Sequence, residues 1–314
     1  MIAFIAKRMV ATIPVMGVVA LFVFLMLRLS PGDPAAVIAG DYASPGDVER
    51  IREALGLNEP IVVQFGIWIW TLMRGDLGIS IFTDLPVTHL IRQRVEPTIM
   101  LSLTTIVFSI LVAVPMGVVA AWKSNTWIDR GIMIFAVAGF SIPVFVLGYM
   151  LIWQFSLNLQ WLPVQGYTSP FDDLGRFLWH ITLPTITLSM IYIALIARIT
   201  RASVLDVLEE DYIRTARSKG LSERVIITRH ALKNASLPII TICGWQIGRL
   251  IAGTVIIEQI FLVPGMGKLL IDSVFERDFL MVQNLVLVIA VIVLLLNLFV
   301  DLMYGWLDPR IRYE

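Results

Sequence analysis

Long apolar runs separated by polar segments dominate the pattern along this chain of 314 residues. A helix needs about 20 apolar residues to cross the hydrocarbon core of a bilayer. Six runs meet that length: Met9–Leu27, Pro97–Ala121, Gly131 to about Leu157, Phe177–Ala197, Pro238–Ile257 and Phe279–Val300. A spanning strand barrel would instead alternate in polarity over segments of about ten residues. The pattern therefore predicts an all-α, polytopic membrane protein with six transmembrane helices.

The first apolar run follows Lys7 and Arg8, as the apolar core of a signal peptide would. Such a core is about 7–15 residues long and precedes a cleavage site of small residues. Met9–Leu27 is longer, and it leads into Arg28 and a proline-rich turn at 31–34. We therefore expect this run to be retained as the first span.

Composition supports the membrane class and narrows the chemistry. The chain is 58% hydrophobic and 15% charged, against about 25% charged residues in an average soluble protein. Its net charge of zero gives no reason to expect a nucleic-acid partner. It has one cysteine, Cys243, and three histidines far apart in sequence, His89, His180 and His230. A disulfide within the chain and a thiolate metal cluster are thereby excluded, and the sequence predicts no cofactor and no metal site.

The placement of Lys and Arg predicts the orientation, because cytoplasmic loops are enriched in both. With the amino terminus inside, the predicted inner segments include the cation-rich stretch 198–236. In the short outer loops, 158–176 and 258–278, the only Lys and Arg residues are Arg176, Lys268 and Arg277. Both termini are therefore predicted to be cytoplasmic.

The predicted outer segment, 31–96, contains two helix patterns. Val48–Leu57 is amphipathic and follows Asp47, which would cap it. Ile61–Met73 is apolar, carries two tryptophans and is short for a span, which is typical of an interfacial helix. The segment is either a platform for a partner or substrate, or a simple folded cap on the helix bundle.

Motifs that carry chemistry are sparse in this chain. The phosphate-binding loop, Gly, four residues, then Gly-Lys-Ser/Thr, does not occur. The nearest stretch, Gly265–Leu269, lacks the upstream glycine and the hydroxyl after the lysine. The chain is therefore not expected to bind ATP or to be an enzyme. A secondary transporter would place paired ionisable residues inside its spans, and paired acids are missing here.

A few ionisable residues fall in or near the predicted spans: Arg28, His180, Arg249, Glu258 and Asp301. Charges at the ends of spans usually extend to the interface, and this is expected of Glu258, directly after the fifth span. Arg249 lies inside that span and must find acceptors. Either it lines a polar translocation cavity or it forms a structural hydrogen bond to another helix.

The polar stretch 198–236 between the fourth and fifth spans has helical patterning. An apolar face is followed by acidic residues at 209–211, and the helical register continues to Gly220, typical of the left-handed turn that ends a helix. A second short helix is predicted from Ser222 to Asn234. Two short helices parallel to the membrane would seat in a groove of a cytosolic protein. The alternative is a solvated loop.

The stretch Glu210–Leu221, followed by His230–Pro238, resembles the coupling region of the dipeptide and oligopeptide permease family of ATP-binding-cassette (ABC) importers. Five further motifs are similar to that family: Pro31–Pro34, Leu55–Leu57, Gly75–Gly78, Pro264–Gly267 and Asp308–Arg312. They extend the resemblance over the whole chain. Only Ala216 and Gly220 match the general importer motif Glu-Ala-Ala-x3-Gly, a departure usual in the peptide branch.

The resemblance implies a permease subunit, of the first permease type, that forms the path for peptides across the bacterial inner membrane. Nickel or glutathione are alternative substrates, and a secondary transporter is the alternative class. The implied partners are a second permease in a heterodimer, two cytosolic ATP-binding subunits and an extracytoplasmic solute-binding protein.

The resemblance also implies a division of the chain and a set of functional residues. The amino terminus with the first helix occupies 1–30, an extracytoplasmic segment 31–96, and the permease domain 97–314, with its coupling loop at 198–236. Coupling to the ATP-binding subunits is expected through Glu209, Glu210, Asp211, Arg214, Thr215, Ala216 and Gly220. Arg249 is the candidate residue on the translocation path.

Overall fold

The computed structural model describes residues 2–28, 35–36, 44–54, 56–80 and 82–307. Helices make up the fold: α1 (Ile2–Arg28), α2 (Pro45–Ala54), α3 (Ile61–Met73), α4 (Val87–Trp122), α5 (Trp127–Ser141), α6 (Val144–Asn158), α7 (Leu174–Leu208), α8 (Asp211–Ser218), α9 (Glu223–Ile260), α10 (Met266–Phe275) and α11 (Phe279–Leu307). Five of them, α1, α4, α7, α9 and α11, are long and apolar enough to cross a membrane, and α5 with α6 makes a sixth span if the pair is counted as one. The predicted all-α membrane fold is confirmed.

The third predicted span, Gly131 to about Leu157, is not one straight helix. Helix α5 ends at Ser141, and α6 leaves at an angle of 102° after a break. Pro143 follows the break, and a residue before proline is driven out of the helical region by the proline ring. Ile142 is accordingly extended, with φ −83° and ψ 124°. The sequence pattern located the apolar run but missed this bend.

The centre of the bundle is the long interface between α4 and α7. Leu101, Leu183, Leu188 and Ile196 are fully buried there or nearly so. Hydroxyl groups also cross the interface, with 2.9 Å between Thr104 Oγ1 and Thr185 Oγ1. Between membrane helices such packing and hydrogen bonding replace the hydrophobic effect as the cause of association.

The chain just before α4 is hydrogen-bonded to the start of α11. The Asp76 carboxylate accepts a hydrogen bond from the Gly78 amide at 2.8 Å, which shapes the turn at 75–78. Ser80 Oγ then donates to Asp278 Oδ2 at 2.5 Å, and both side chains are buried. Nearby, α3 packs on α1 through Phe65 and Phe24, whose ring centroids are 5.2 Å apart. Residues 61–80 therefore pack against the spans.

Two helix boundaries differ from the prediction. Helix α2 begins at Pro45, so Asp47 lies in its first turn and not at the cap. Helix α9 begins at Glu223 and continues through Pro238 as one helix with a π-helical turn at Ile226–Ala231. The predicted short helix from Ser222 to Asn234 is thus the first part of the fifth span. Of the family motifs, Pro31–Pro34, Asp308–Arg312 and the first residue of Leu55–Leu57 lie outside the described residues.

Candidate functional site

Helix α8 stands apart from the spans as a short helix between the ends of α7 and α9. Helix α7 stops at Leu208, and Glu210 adopts an extended backbone (φ −66°, ψ 146°) that redirects the chain. One narrow apolar face of α8 packs against the bundle. Ile213 is fully buried and Ala216 almost so, and both pack against Ile226 of α9, with Leu208 at the edge of the cluster.

The end of α8 is fixed by a left-handed turn at Gly220. Its φ is +80°, where glycine is the favoured residue because a side chain is strained there. The Gly220 amide donates to the Arg217 carbonyl at 2.9 Å, and the Leu221 amide donates to the Ala216 carbonyl at 3.3 Å. These two bonds form the Schellman motif that satisfies the last carbonyls of a helix. The glycine predicted from sequence as a helix stop is confirmed.

Polar contacts join α8 to α9. Arg217 donates two hydrogen bonds to Glu223, from Nε to Oε1 at 2.8 Å and from Nη2 to Oε2 at 3.3 Å. The bonded carboxylate raises the pKa of Arg217 above its usual value. Asn234 Nδ2 also donates to Tyr212 Oη at 2.6 Å. Because the ion pair is nearly half exposed, its contribution is about 0–1 kcal/mol, and the buried Ile213 cluster is the main anchor.

The residues expected to couple to ATP-binding subunits divide into two groups. Six of the seven are exposed on the outer side of α8 and its flanks: Glu209, Glu210, Asp211, Arg214, Thr215 and Gly220. Ala216 is 8% exposed and packs inward. Arg214 and Asp211 are 3.7 Å apart, and both are open to solvent. The six exposed residues therefore share one charged surface, while Ala216 belongs to the buried cluster that holds α8 against α9.

Arg249 lies on the exposed side of α9, in the middle of the apolar run. Its guanidinium stacks over the Trp245 ring, 4.9 Å from the centroid, a favourable cation–π arrangement. It makes no hydrogen bond or ion pair with any other residue that the structure describes. An inter-helix hydrogen bond is therefore not present within the described chain, and the side chain is exposed.

Glu258 is fully buried, so the expectation that it would extend to the interface is wrong. Its carboxylate caps the start of α10: Oε2 accepts from the Lys268 amide at 3.0 Å, and the Gly267 amide donates to it as well. Thr98 of α4 donates to Oε1 at 2.6 Å and accepts from the Met266 amide at 2.8 Å. A carboxylate at a helix amino terminus satisfies unpaired amides and interacts with the helix dipole. Glu258 thus joins α4, α9 and α10.

The same junction explains the motif at Pro264–Gly267. A Cβ atom on Gly265 would fall on the Glu258 carboxylate, and one on Gly267 would lie 2.6 Å from the Val255 Cα atom. Both positions therefore require glycine for the close approach of the loop to α9. The sequence pattern identifies this motif but does not link it to Glu258. The charge directly after an apolar span, six residues before a Pro-Gly turn, was the signal available.

Comparison with known proteins places this architecture in the class of importer membrane subunits. Residues 1–102 match the family described as the amino-terminal part of the binding-protein-dependent transport system membrane component. Residues 113–313 match the family described as the binding-protein-dependent transport system inner membrane component. The chain belongs to this family of multi-pass inner-membrane permease subunits.

Relatives cover the whole length of the chain. A probable peptide ABC transporter permease of Sinorhizobium fredii is 50% identical over 310 residues, 99% of both chains. A glutathione transport system permease of Escherichia coli is 41% identical over 315 residues, with both chains fully covered. Among solved structures, the MetNI methionine ABC transporter in inward-facing conformations has a TM-score of 0.60 at 14% identity, over 70% of this chain and 97% of that one. This last likeness confirms the fold.

Proposed function

We propose that this chain is the membrane subunit of an ABC importer for peptides and that it forms the translocation path together with a second permease. The relative named as a peptide permease is 50% identical and the relative named as a glutathione permease is 41% identical. Both names describe peptide substrates, since glutathione is itself a tripeptide. A general peptide importer is the first candidate and a glutathione importer the second. Nickel has no support from these names.

The exposed charged face of α8 supports the proposal that transport is driven by ATP-binding subunits that dock on this chain. Helix α8 is anchored on the bundle by Ile213, and it presents Asp211, Arg214 and Thr215 outward. A short, fixed helix with a charged outer face suits a groove on another protein better than a lipid surface. We assign that groove to a cytosolic ATP-binding subunit. The solute-binding protein would meet the opposite end of the bundle.

Reconstitution tests this assignment. Purified from its native membrane, the chain is expected to bring with it a second permease and ATP-binding subunits. In proteoliposomes, the ATPase activity of the complex is expected to rise several-fold when a peptide-loaded solute-binding protein is added, because closure of the ATPases is linked to substrate delivery. Peptide uptake by this chain alone, driven by a proton gradient, would instead identify a secondary transporter.

The proposed orientation puts both termini and α8 in the cytoplasm. Single cysteines at Ser44 and Ser218, both exposed, are introduced in a Cys243→Ser background. On intact spheroplasts an impermeant thiol reagent should label Ser44→Cys and leave Ser218→Cys unlabelled until the membrane is permeabilised. Labelling in the reverse order contradicts the orientation.

Arg249 is proposed to face the translocation path, because its side chain is exposed and has no acceptor among the described residues. A guanidinium there would bind a peptide carboxylate through two parallel hydrogen bonds. Arg249→Met should assemble normally and reduce uptake by about tenfold or more, since a hydrogen bond to a charged group is worth about 1.5–3 kcal/mol. Arg249→Lys should reduce uptake less. Uptake by the assembled complex measures both.

The control for Arg249 is Arg277→Met, which removes an exposed arginine at the turn before α11 and should leave uptake unchanged. If Arg249→Met prevents assembly while Arg249→Lys transports normally, the residue is a structural contact with the partner permease and its place on the path is wrong.

A further inference from the structure

The loop between α4 and α5 has an exposed tryptophan at each end. Trp122 is the last residue of α4 and Trp127 is the first of α5, and they are 46% and 84% exposed. The exposed faces of the two helices continue from these rings with apolar side chains: Leu111, Val119, Ile134, Phe135 and Phe140. Because the apolar run of α4 ends here, the loop lies where two spans leave the hydrocarbon and meet the lipid headgroups. Tryptophan is enriched at that level of a membrane.

A cation is stacked on each of these rings. Lys123 Nζ lies 4.7 Å from the centroid of the Trp122 ring, and Arg130 Cζ lies 5.4 Å from the centroid of the Trp127 ring. Both are favourable cation–π distances. Lys123 and Arg130 are exposed, and neither side chain makes a hydrogen bond or ion pair with another residue that the structure describes. An ammonium and a guanidinium have several N–H donors each, so the loop presents two cations whose donors have no acceptor in the described chain.

The acidic residue of the loop, Asp129, is neutralised by another helix. It is buried, and Arg201 of α7 donates to it from Nε to Oδ1 at 2.6 Å and from Nη2 to Oδ2 at 2.7 Å. The Asn125 amide also donates to Oδ2, at 3.0 Å. These three bonds fix the loop against α7. Because Arg201 balances the charge of Asp129, the exposed surface of the loop is left with the positive charges of Lys123 and Arg130.

The start of α5 lies between the two cations and has no side-chain cap. Thr126 precedes the helix with an extended backbone, and its hydroxyl donates to the Lys123 carbonyl instead of capping α5. The Thr126 amide donates to the same carbonyl at 3.1 Å, and the Thr126 carbonyl accepts from the Arg130 amide at 3.1 Å. Both cations therefore begin beside this helix end. The first amides of a helix have no acceptor within it, and they attract phosphate groups.

We propose that the loop 122–130 binds the headgroups of anionic phospholipids. Lys123 and Arg130 bind the phosphate oxygens beside the uncapped start of α5, and the two indole rings lie at the level of the headgroups. In the proposed orientation the loop is at the cytoplasmic face, where acidic lipids give the bilayer a negative surface potential. Lipid fits better than a protein partner because the loop is continuous with the apolar exposed faces of two spans. The site is independent of the solute that the complex carries.

Photo-crosslinking from inside the loop tests the site. The photoreactive residue p-benzoylphenylalanine replaces Ile128, which is exposed, and the protein is purified with the subunits that accompany it. The complex is placed in nanodiscs that contain phosphatidylglycerol and phosphatidylcholine, and mass spectrometry measures the ratio of the two lipids in the crosslinked products. Phosphatidylglycerol is expected to be enriched several-fold over its share of the bilayer. The same probe at Leu111, an exposed residue in the middle of α4, should report the ratio of the bilayer.

Charge and ring variants then separate the two contributions. Lys123→Gln with Arg130→Gln should bring the ratio at the probe close to that of the bilayer, since each cation near an acidic surface adds a preference of about fivefold. Trp127→Ala keeps both cations and should reduce the enrichment less. Arg224→Gln with Arg229→Gln removes the same charge from exposed positions of α9 and should leave the ratio unchanged.

Two results would overturn the lipid site. The first is a crosslinked ratio at Ile128 equal to that of the bilayer in the protein with all its cations, which would show that the loop does not select acidic lipid. The second is crosslinking of the probe to a partner subunit in place of lipid, which would assign the loop to a protein interface. Continued ATP-driven peptide uptake by the same complex would leave the proposed function standing in either case.

Discussion

Shortening Ile213 to alanine is expected to reduce peptide uptake to near background while the partner subunits still hydrolyse ATP. Helix α8 has eight residues, and isolated helices shorter than about 12–15 residues are marginal in water. It therefore depends on the burial of Ile213. Loss of this side chain costs about 2–5 kcal/mol, more than the exposed Arg217–Glu223 pair supplies. Uptake and ATP hydrolysis are measured on the same proteoliposomes.

A matched control and a backbone variant separate anchoring from general damage. Leu237→Ala removes a partly exposed side chain of α9 and should transport normally. Gly220→Val should uncouple transport as well, because a side chain at φ +80° costs about 1–2 kcal/mol. Gly220→Asn should retain coupling, since asparagine tolerates this conformation. Normal uptake by Ile213→Ala at equal expression would remove the coupling role from α8.

Replacing Glu258 with alanine is expected to lower the melting temperature of the purified protein by several degrees and to reduce its yield in the membrane. The change leaves the amides of Gly267 and Lys268 without their acceptor and removes the hydrogen bond from the Thr98 hydroxyl. Each unsatisfied buried group costs about 1–3 kcal/mol. Thermal unfolding followed by size-exclusion chromatography with fluorescence detection measures the loss.

Glycine variants test whether the loss comes from the junction. Gly265→Ala should be about as harmful as Glu258→Ala, because the new methyl group displaces the carboxylate. Gly131→Ala, in a helix with open space around it, should be neutral or slightly stabilising. Glu276→Gln, at an exposed position of α10's end, should also be silent. Equal stability of Glu258→Ala and the parent protein would contradict the capping role.

Hydropathy was sufficient to find the spans because lipid imposes a length and an apolar composition on each helix. It was insufficient where one local feature decides the geometry. Pro143 bends the third span, although the apolar run continues through it. Pro238, by contrast, suggested a helix boundary, yet α9 continues through it. Proline disfavours a helix locally, and only packing decides whether the helix breaks.

The candidate functional residues also divide into those that could be predicted from local sequence and those that could not. A charged helix ending at Gly220 could be predicted, since capping chemistry is local. Ala216 could not be separated from its exposed neighbours by motif alone. Its burial follows from its position three residues after Ile213, on the same helix face. Glu258 was misassigned because its acceptor role depends on amides that arrive from α10 and a hydroxyl from α4. Such contacts are not visible in a linear pattern.

Helix α9 carries three of these side chains along one rod: Glu223, which pairs with Arg217 of α8, then Arg249 and Glu258. At 1.5 Å per residue, the rod from Glu223 to Ile260 is about 57 Å long. Its π-helical turn at Ile226–Ala231 is close to the α8 end, and such turns are natural points of bending. A pivot there has a lever arm of roughly 44 Å to Glu258, so each degree of tilt displaces that junction by roughly 0.8 Å. If α8 is the coupling helix that we propose, a small push on it would be amplified at the far end of α9.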